Sequence, residues 1–178
     1  MLINLPEITH MTTYIALLRA VNVGGTGKLP MSELKSMCEQ AGFGNARTYI
    51  ASGNVVFDSA MAASKVKAAL EALLEQYAGK RVEVMVRTGP EMAAVLAANP
   101  FPDAAPNRTV VIFLDAAPPL DALDKIAGRK QEELRLGTRE IYVHYGAGMA
   151  DSTLKIPAAG KGTGRNINTV ARLAAMAA

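Results

Sequence analysis

The chain has 178 residues, half of them hydrophobic and 20% charged, with a net charge of +3 and no long run of one sign. That composition excludes a disordered or low-complexity segment, and at this length roughly 70% of the unfolded surface can be buried without a disulfide or a metal. The single cysteine has no partner within the chain, no apolar run approaches the roughly 20 residues that span a bilayer, and Met1–His10 lacks a secretory pattern. A cytoplasmic protein with no membrane role is therefore expected.

Residues 1–10 precede a second methionine, Met11, and read as an N-terminal tail outside the fold. Thr13 to Ala20 is apolar on both faces through Tyr14, Ile15, Leu17 and Leu18, the pattern of a central strand. After the glycine-rich Asn22–Lys28, Pro30 opens a helix whose stripe is Met31, Leu34, Cys38 and Ala41, with Gly42 at its end. That stripe predicts a buried, unreactive Cys38. Arg47–Ala51 and Asn54–Asp58 flank Ser52-Gly53 as a hairpin, and Val66, Leu70, Leu73 and Tyr77 mark an amphipathic helix with Lys67, Glu71 and Glu75 on its wet side. Gly79 ends that helix. Arg81–Arg87 alternates Val82, Val84 and Val86 against Arg81, Glu83, Met85 and Arg87, which predicts a half-exposed strand.

The order strand, helix, strand, strand, helix, strand is that of a ferredoxin-like plait. A short helix over 90–98 stops at Asn99-Pro100, and Phe101–Arg108, broken by Pro102 and Pro106, reads as a connector. A strand over Thr109–Asp115 follows, then a helix over Pro119–Ala127 carrying Leu120, Leu123 and Ile126. Glu132–Leu136 pairs with Glu140–Tyr145 across Gly137-Thr138. Asn166 caps a final helix, Asn166–Ala177, with stripe Ile167, Val170, Leu173 and Ala174. The expected fold is α+β: a ferredoxin-like subdomain over 11–88 and a second of similar topology over 89–178. Each is expected to hold an antiparallel sheet with helices packed on one face.

Two glycine-rich, cation-bearing segments bracket the chain, Asn22-Val-Gly-Gly-Thr-Gly-Lys28 and Gly160-Lys-Gly-Thr-Gly-Arg-Asn166, each ahead of a predicted helix. Helix N-termini carry unpaired N–H groups and glycines admit close approach of an anion, so such segments are candidate phosphate or carboxylate seats. Neither fits the Walker or the dinucleotide pattern, and each also reads simply as a turn. From Ser152 onward there are four cations, Lys155, Lys161, Arg165 and Arg172, and no acid. Acids and bases alternate from Asp121 to Glu133, as on a solvated face.

Tyr14–Gly25, Thr48–Phe57 and Gly162–Val170 resemble, in order, the hallmark segments of the bacterial family called domain of unknown function 1697, and the resemblance covers nearly the whole chain from Met11. It implies two ferredoxin-like subdomains, a cytosolic bacterial setting and no established activity. It also implies that Arg19, Asn22, Gly24, Gly25, Ser52, Gly53, Asn54, Arg165, Asn166 and Thr169 matter. The chain departs from the family where Ala20 replaces a usual Gly, Ile167 a frequent aromatic, and Ser152-Thr-Leu154 a common Ser-Lys-Leu.

The resulting expectation is a phosphate- or carboxylate-bearing small ligand held between the two loops by Arg19, Asn22, Gly24, Gly25, Lys28, Ser52, Asn54, Lys161, Arg165 and Asn166. An RNA- or other nucleic-acid-binding module is the alternative. Tyr14 and Phe57 stand where such a sheet stacks bases, although both rings also read as core. A third reading, an enzyme acting on a phosphorylated metabolite, needs His144, Tyr49 or Tyr142 close to Arg165. No metal site and no cofactor are expected, because the two histidines, one cysteine and scattered carboxylates lack ligand spacing. Oligomeric state is left open.

Overall fold

A computed structural model describes residues 10–22 and 28–178. The first sheet is built from β1 (Thr12–Leu18), β2 (Gly44–Thr48), β3 (Asn54–Ser59) and β4 (Val84–Thr88), with α1 (Met31–Gln40) and α2 (Ala63–Ala78) as its crossovers. Its order is β2-β3-β1-β4 and every pairing is antiparallel. Leu34, Met37 and Cys38 of α1 and Val66, Leu70 and Leu74 of α2 pack on Tyr14, Ala16, Leu18, Val55, Phe57, Val84 and Val86. Cys38 is fully buried, and burial pushes its thiol up to about 12, so it stays protonated and unreactive at neutral pH.

The second sheet comprises β5 (Thr109–Phe113), β6 (Glu133–Leu136), β7 (Glu140–His144) and β8 (Thr163–Asn166), with α3 (Gly89–Ala97) ahead of it and α4 (Ile167–Met176) after it. The order β6-β7-β5-β8 repeats that of the first sheet, and the fold is two antiparallel four-stranded sheets with four helices. The crossovers are not repeated. Pro119–Ala127, expected as a helix, holds only a 3-10 turn over Ala122–Lys125. Two prolines precede it, Ile126 is already extended, and Ala127 bridges to Lys155, so the chain has no room to wind further. Leu120, expected on the apolar stripe, is 97% exposed.

The largest difference from expectation lies between the sheets. Ile15, Leu17, Val56 and Met85 of the first sheet share one core with Val111, Phe113 and Tyr142 of the second and with residues of α3 and α4. The first sheet is thus covered on both faces, by helices on one side and by the second sheet on the other. This explains why β1 is apolar on both faces, each such side chain contributing about 1.5–3 kcal/mol when fully buried. It also corrects the half-exposed strand. Met85 and Arg87 are each 1% exposed because the side expected to be wet faces the second sheet. Tyr14 and Phe57 are core residues beneath α1 and α2, so neither is open to stack a base.

Local chemistry sets the element ends. Gly42 and Gly79 leave α1 and α2 in the left-handed conformation that a helix C-terminus favours. Thr88 caps α3 through a reciprocal box, its hydroxyl accepting from Glu91 N at 3.2 Å while the Glu91 carboxylate accepts from Thr88 N at 3.0 Å. Asn166 caps α4, as its sequence position predicts, its Oδ1 accepting from Asn168 N at 2.8 Å. Ala20 sits at φ +54°, a backbone region that disfavours any side chain with a Cβ.

Two outcomes are expected. Ala20→Gly relieves the left-handed strain and stabilises the fold by about 0.5 kcal/mol, after the entropy that glycine loses is discounted, as measured by chemical denaturation. Burial raises the Glu91 pKa, but the Thr88 hydrogen bonds, Arg139 and Arg87 outweigh it and hold the carboxyl below its ordinary value. Its stabilising contribution is therefore present above the unfolded value of about 4.3 and lost as pH falls through the folded one. Denaturation of wild type and Glu91→Gln at stepped pH should show the gap between them narrowing below about pH 4.

Candidate functional site

Strand β1 ends beside the Ser52-Gly53 turn, and β8 is brought to the same place by its pairing with β5, where Val111 lies opposite Arg165. Arg165 is 7% exposed and has no carboxylate partner among the described residues. Its Nε donates to Asn54 Oδ1 at 2.6 Å, Nη1 to Thr163 Oγ1 at 2.6 Å and Gly164 O at 2.9 Å, and Nη2 to Leu18 O at 2.8 Å and Ser52 O at 3.1 Å. All five of its donors are thus engaged. Burial lowers its pKa to about 10, still well above neutrality, so the side chain remains a cation solvated by carbonyl dipoles.

Asn54, fully buried, completes the web by donating from Nδ2 to Tyr49 O and to Ser52 Oγ, both at 2.9 Å. Arg19 extends it outward, with Nη2 on Gly160 O at 2.6 Å and Nε on Gly162 O at 3.2 Å, so its guanidinium spans both sides of Lys161. Asn22, at φ +54°, donates from Nδ2 to Leu29 O at 2.8 Å and Ala51 O at 2.7 Å and accepts from Leu29 N at 2.6 Å. Gly53 must be glycine here. Its φ is +86°, and a Cβ would lie 2.5 Å from Val21 Cγ2.

The sequence-predicted residues accordingly fall into three groups. Arg19, Asn22, Ser52, Asn54 and Arg165 form one connected web around the Ser52-Gly53 turn. The side-chain N–H donors of Asn22, Asn54 and Arg165 are committed to this chain's own oxygens. Gly24 and Gly25 lie outside the described residues. Lys28, Lys161 and Asn166 stand at its margins: Lys161 is exposed beside Arg19, Asn166 caps α4, and Lys28 lines a cavity with α2. The second glycine loop is also less of a loop than expected. Thr163–Asn166 is strand β8, paired with Val110–Phe113, because those residues complete the second sheet.

Sequence reasoning missed the counterpart of Arg165. Arg87, on β4 of the first sheet, reaches into the second, where Nη2 donates to Leu114 O at 2.6 Å and Arg139 O at 3.1 Å. Its guanidinium lies 5.4 Å from the Phe113 ring centre, and its Nε, 3.7 Å from Glu140 Oε1, has no hydrogen-bond acceptor among the described residues. Burial lowers the Arg87 pKa, assisted by Arg139 and opposed by Glu140. The only sequence sign was an arginine inside an apolar alternation, which reads equally well as solvent-facing.

Two cavities bear on function. The larger, about 500 Å³, lies between α3 and the β6–β7 turn, and its charges cancel: Glu91 and Glu140 stand with Arg135 and Arg139, and Arg139 bonds Glu91 directly. The second, about 310 Å³, opens where β1 ends and is lined by Ala20, Val21, Lys28, Leu29, Leu74, Tyr77, Ala78, Lys80 and Val82. Among the described residues both of its charged lining side chains are cations. Of the groups an enzyme would use, Tyr142 lines the larger cavity, and Tyr49 meets the Arg165 web through its carbonyl, which accepts from Asn54 Nδ2. Tyr142 OH donates to Val95 O at 2.7 Å with burial pushing its pKa up to about 12, and His144 Nδ1 rests 3.5 Å from Thr109 Oγ1 against the Phe101 ring.

Because Arg165 holds turn and strand together, Arg165→Ala is expected to destabilise the protein by about 3–5 kcal/mol, leaving buried carbonyls and Asn54 unpaired. Arg165→Lys should recover only part of this, as one ammonium cannot reach the five acceptors of the fork. Chemical denaturation checks both, and a loss under 1 kcal/mol for the alanine variant refutes the structural role.

The chain aligns in three dimensions with the conserved bacterial protein SP0830 from Streptococcus pneumoniae at a TM-score of 0.79, with 24% identity over 95% of this chain and 100% of that one. At that identity the likeness is one of fold. No curated protein matches the chain. A family model described as protein of unknown function, DUF1697, matches residues 11–142, and the chain belongs to that family.

Proposed function

We propose that this protein binds a small phosphate- or carboxylate-bearing molecule in the cavity at the end of β1. The observation that carries the reading is the lining of that cavity, whose charged side chains among the described residues are Lys28 and Lys80, over a floor of Val21, Leu29, Leu74 and Val82. An anion about 4 Å from an ammonium gains about 1–4 kcal/mol between bulk water and a protein surface, and no carboxylate among the described lining residues opposes it. Asn22 supports the same reading by clamping the Leu29 wall with two hydrogen bonds. The web around Arg165 is then a frame for the cavity's edge, because Val21 packs against the Gly53 turn that Arg165 holds. The proposal takes the protein as cytosolic, consistent with its one cysteine being buried and unpaired.

Titration calorimetry with inorganic phosphate, ribose 5-phosphate and citrate tests it, with glycerol as the neutral control. At least one anion should bind, and Lys28→Ala or Lys80→Ala should weaken it about five- to tenfold, the worth of one charged contact. Lys125→Ala, remote on the Asp121–Lys125 pair, should leave it unchanged. Absence of binding at millimolar anion, or sensitivity to Lys161→Ala with indifference to Lys28→Ala, rejects this cavity as the seat.

A further inference from the structure

We infer that the larger cavity, between α3 and the β6–β7 turn, binds a small monocarboxylate with an apolar body, its carboxylate on the Nε–Nη2 edge of Arg135. The site is separate from the cavity at the end of β1. At about 500 Å³ it has the size of a ligand pocket, for which about 300–1,000 Å³ is usual. Most of its polar lining is committed within the chain. Glu91 accepts from Thr88 N and from Arg139 Nη2, Glu140 Oε2 accepts from Arg139 N at 2.6 Å, and Tyr142 OH donates to Val95 O at 2.7 Å. The charges are matched in the same way. Arg139 offsets Glu91, and Arg87 Nε faces Glu140 Oε1 at 3.7 Å, which leaves Arg135 as the lining charge with no opposite partner among the described residues.

Two contacts orient that arginine. Its Nη1 donates to Leu134 O at 2.8 Å, and its guanidinium lies 5.8 Å from the Phe101 ring centre. Neither contact uses Nε or Nη2, whose N–H groups have no acceptor among the described residues. Those N–H groups run parallel along one edge of the guanidinium and match the two oxygens of a carboxylate, and a fork already held in place loses little freedom on binding. A phosphate dianion suits the space less well, because its second charge would stand near Glu91 and Glu140 in the same lining. The rest of the lining favours an apolar body. Ala94, Ala98 and Pro100 are exposed and Leu136 is half-buried, so apolar surface is open there to be covered.

NMR titration of the isotope-labelled protein with hexanoate, acetate and hexanol tests the inference, with amide shifts expected to centre on Ala94, Ala98 and residues 136–139. Hexanoate should bind about fivefold more tightly than acetate, which lacks the body, and about tenfold more tightly than hexanol, which lacks the charge. Arg135→Ala should bring hexanoate to the level of hexanol, and Arg135→Lys should recover the difference only in part. Ala94→Glu, at an exposed helical position that tolerates glutamate, should weaken hexanoate about tenfold by adding a carboxylate to the lining. Circular dichroism melting confirms that the variants fold. Lys28→Ala should leave hexanoate binding unchanged, which separates this site from the cavity at the end of β1. Equal affinity of wild type for hexanoate and hexanol, no shift at the named amides, or hexanoate binding untouched by both Arg135→Ala and Ala94→Glu overturns the inference. Loss of hexanoate binding in Lys28→Ala overturns it too and assigns the carboxylate to the other cavity.

Discussion

Two buried arginines, each rooted in one sheet and bonded to the backbone of the other, are what the rest of the structure depends on. Arg165 leaves β8 to meet Leu18, Ser52 and Asn54 at the end of β1 and the turn before β3, and Arg87 leaves β4 to meet the carbonyls of Leu114 and Arg139. Removing a guanidinium from water costs several kcal/mol, and only the planar fork of donors can recover that from carbonyls held in fixed places. Apolar packing between the sheets is non-directional and tolerates sliding. The arginines fix where one sheet stops relative to the other.

That arrangement also decides what the cationic residues can do. A guanidinium whose five donors are committed to its own chain cannot also seat a ligand without breaking those bonds, so Arg165 frames the site and does not grip. Exposed lysines, Lys28 and Lys161 among them, stand at its margin. The covering of both faces of the first sheet acts the same way on nucleic-acid recognition. The rings that an open plait would offer to bases are spent here on the core.

Much of the fold was legible because its signals are local. Period-two and period-3.6 patterns, Pro30, Gly42, Gly79 and the Asn166 cap located, among the described residues, all four helices and seven of the eight strands to within a few residues. The misreadings arose where a distant partner decided the outcome. Arg87 and Met85 look solvent-facing until the second sheet covers them. Thr163–Asn166 looks like loop because two of the four residues before Arg165 are glycine and the pairing with β5 has no local signature. Leu120 has helical spacing to Leu123 and Ile126, yet the bridge of Ala127 to Lys155 draws the segment straight. The family motifs marked Arg19, Asn22, Ser52, Asn54 and Arg165 together, but only their contacts separate supporting from binding residues.

By itself the sequence determined the α+β class, the order of the elements, the buried unreactive thiol and the membership of a family with recurring residues at three separated places. These follow from side-chain periodicity, backbone permissiveness and composition, which act over a few residues. Tertiary structure alone decided that the sheets share a core, that each lends an arginine to the other, and that Lys28 lines a cavity beside Tyr77 and Lys80 rather than facing Lys161. Those outcomes turn on which carbonyls and apolar faces meet across some hundred residues of chain, and hydrogen-bond acceptors on a backbone look alike in any sequence until the fold brings them to a donor.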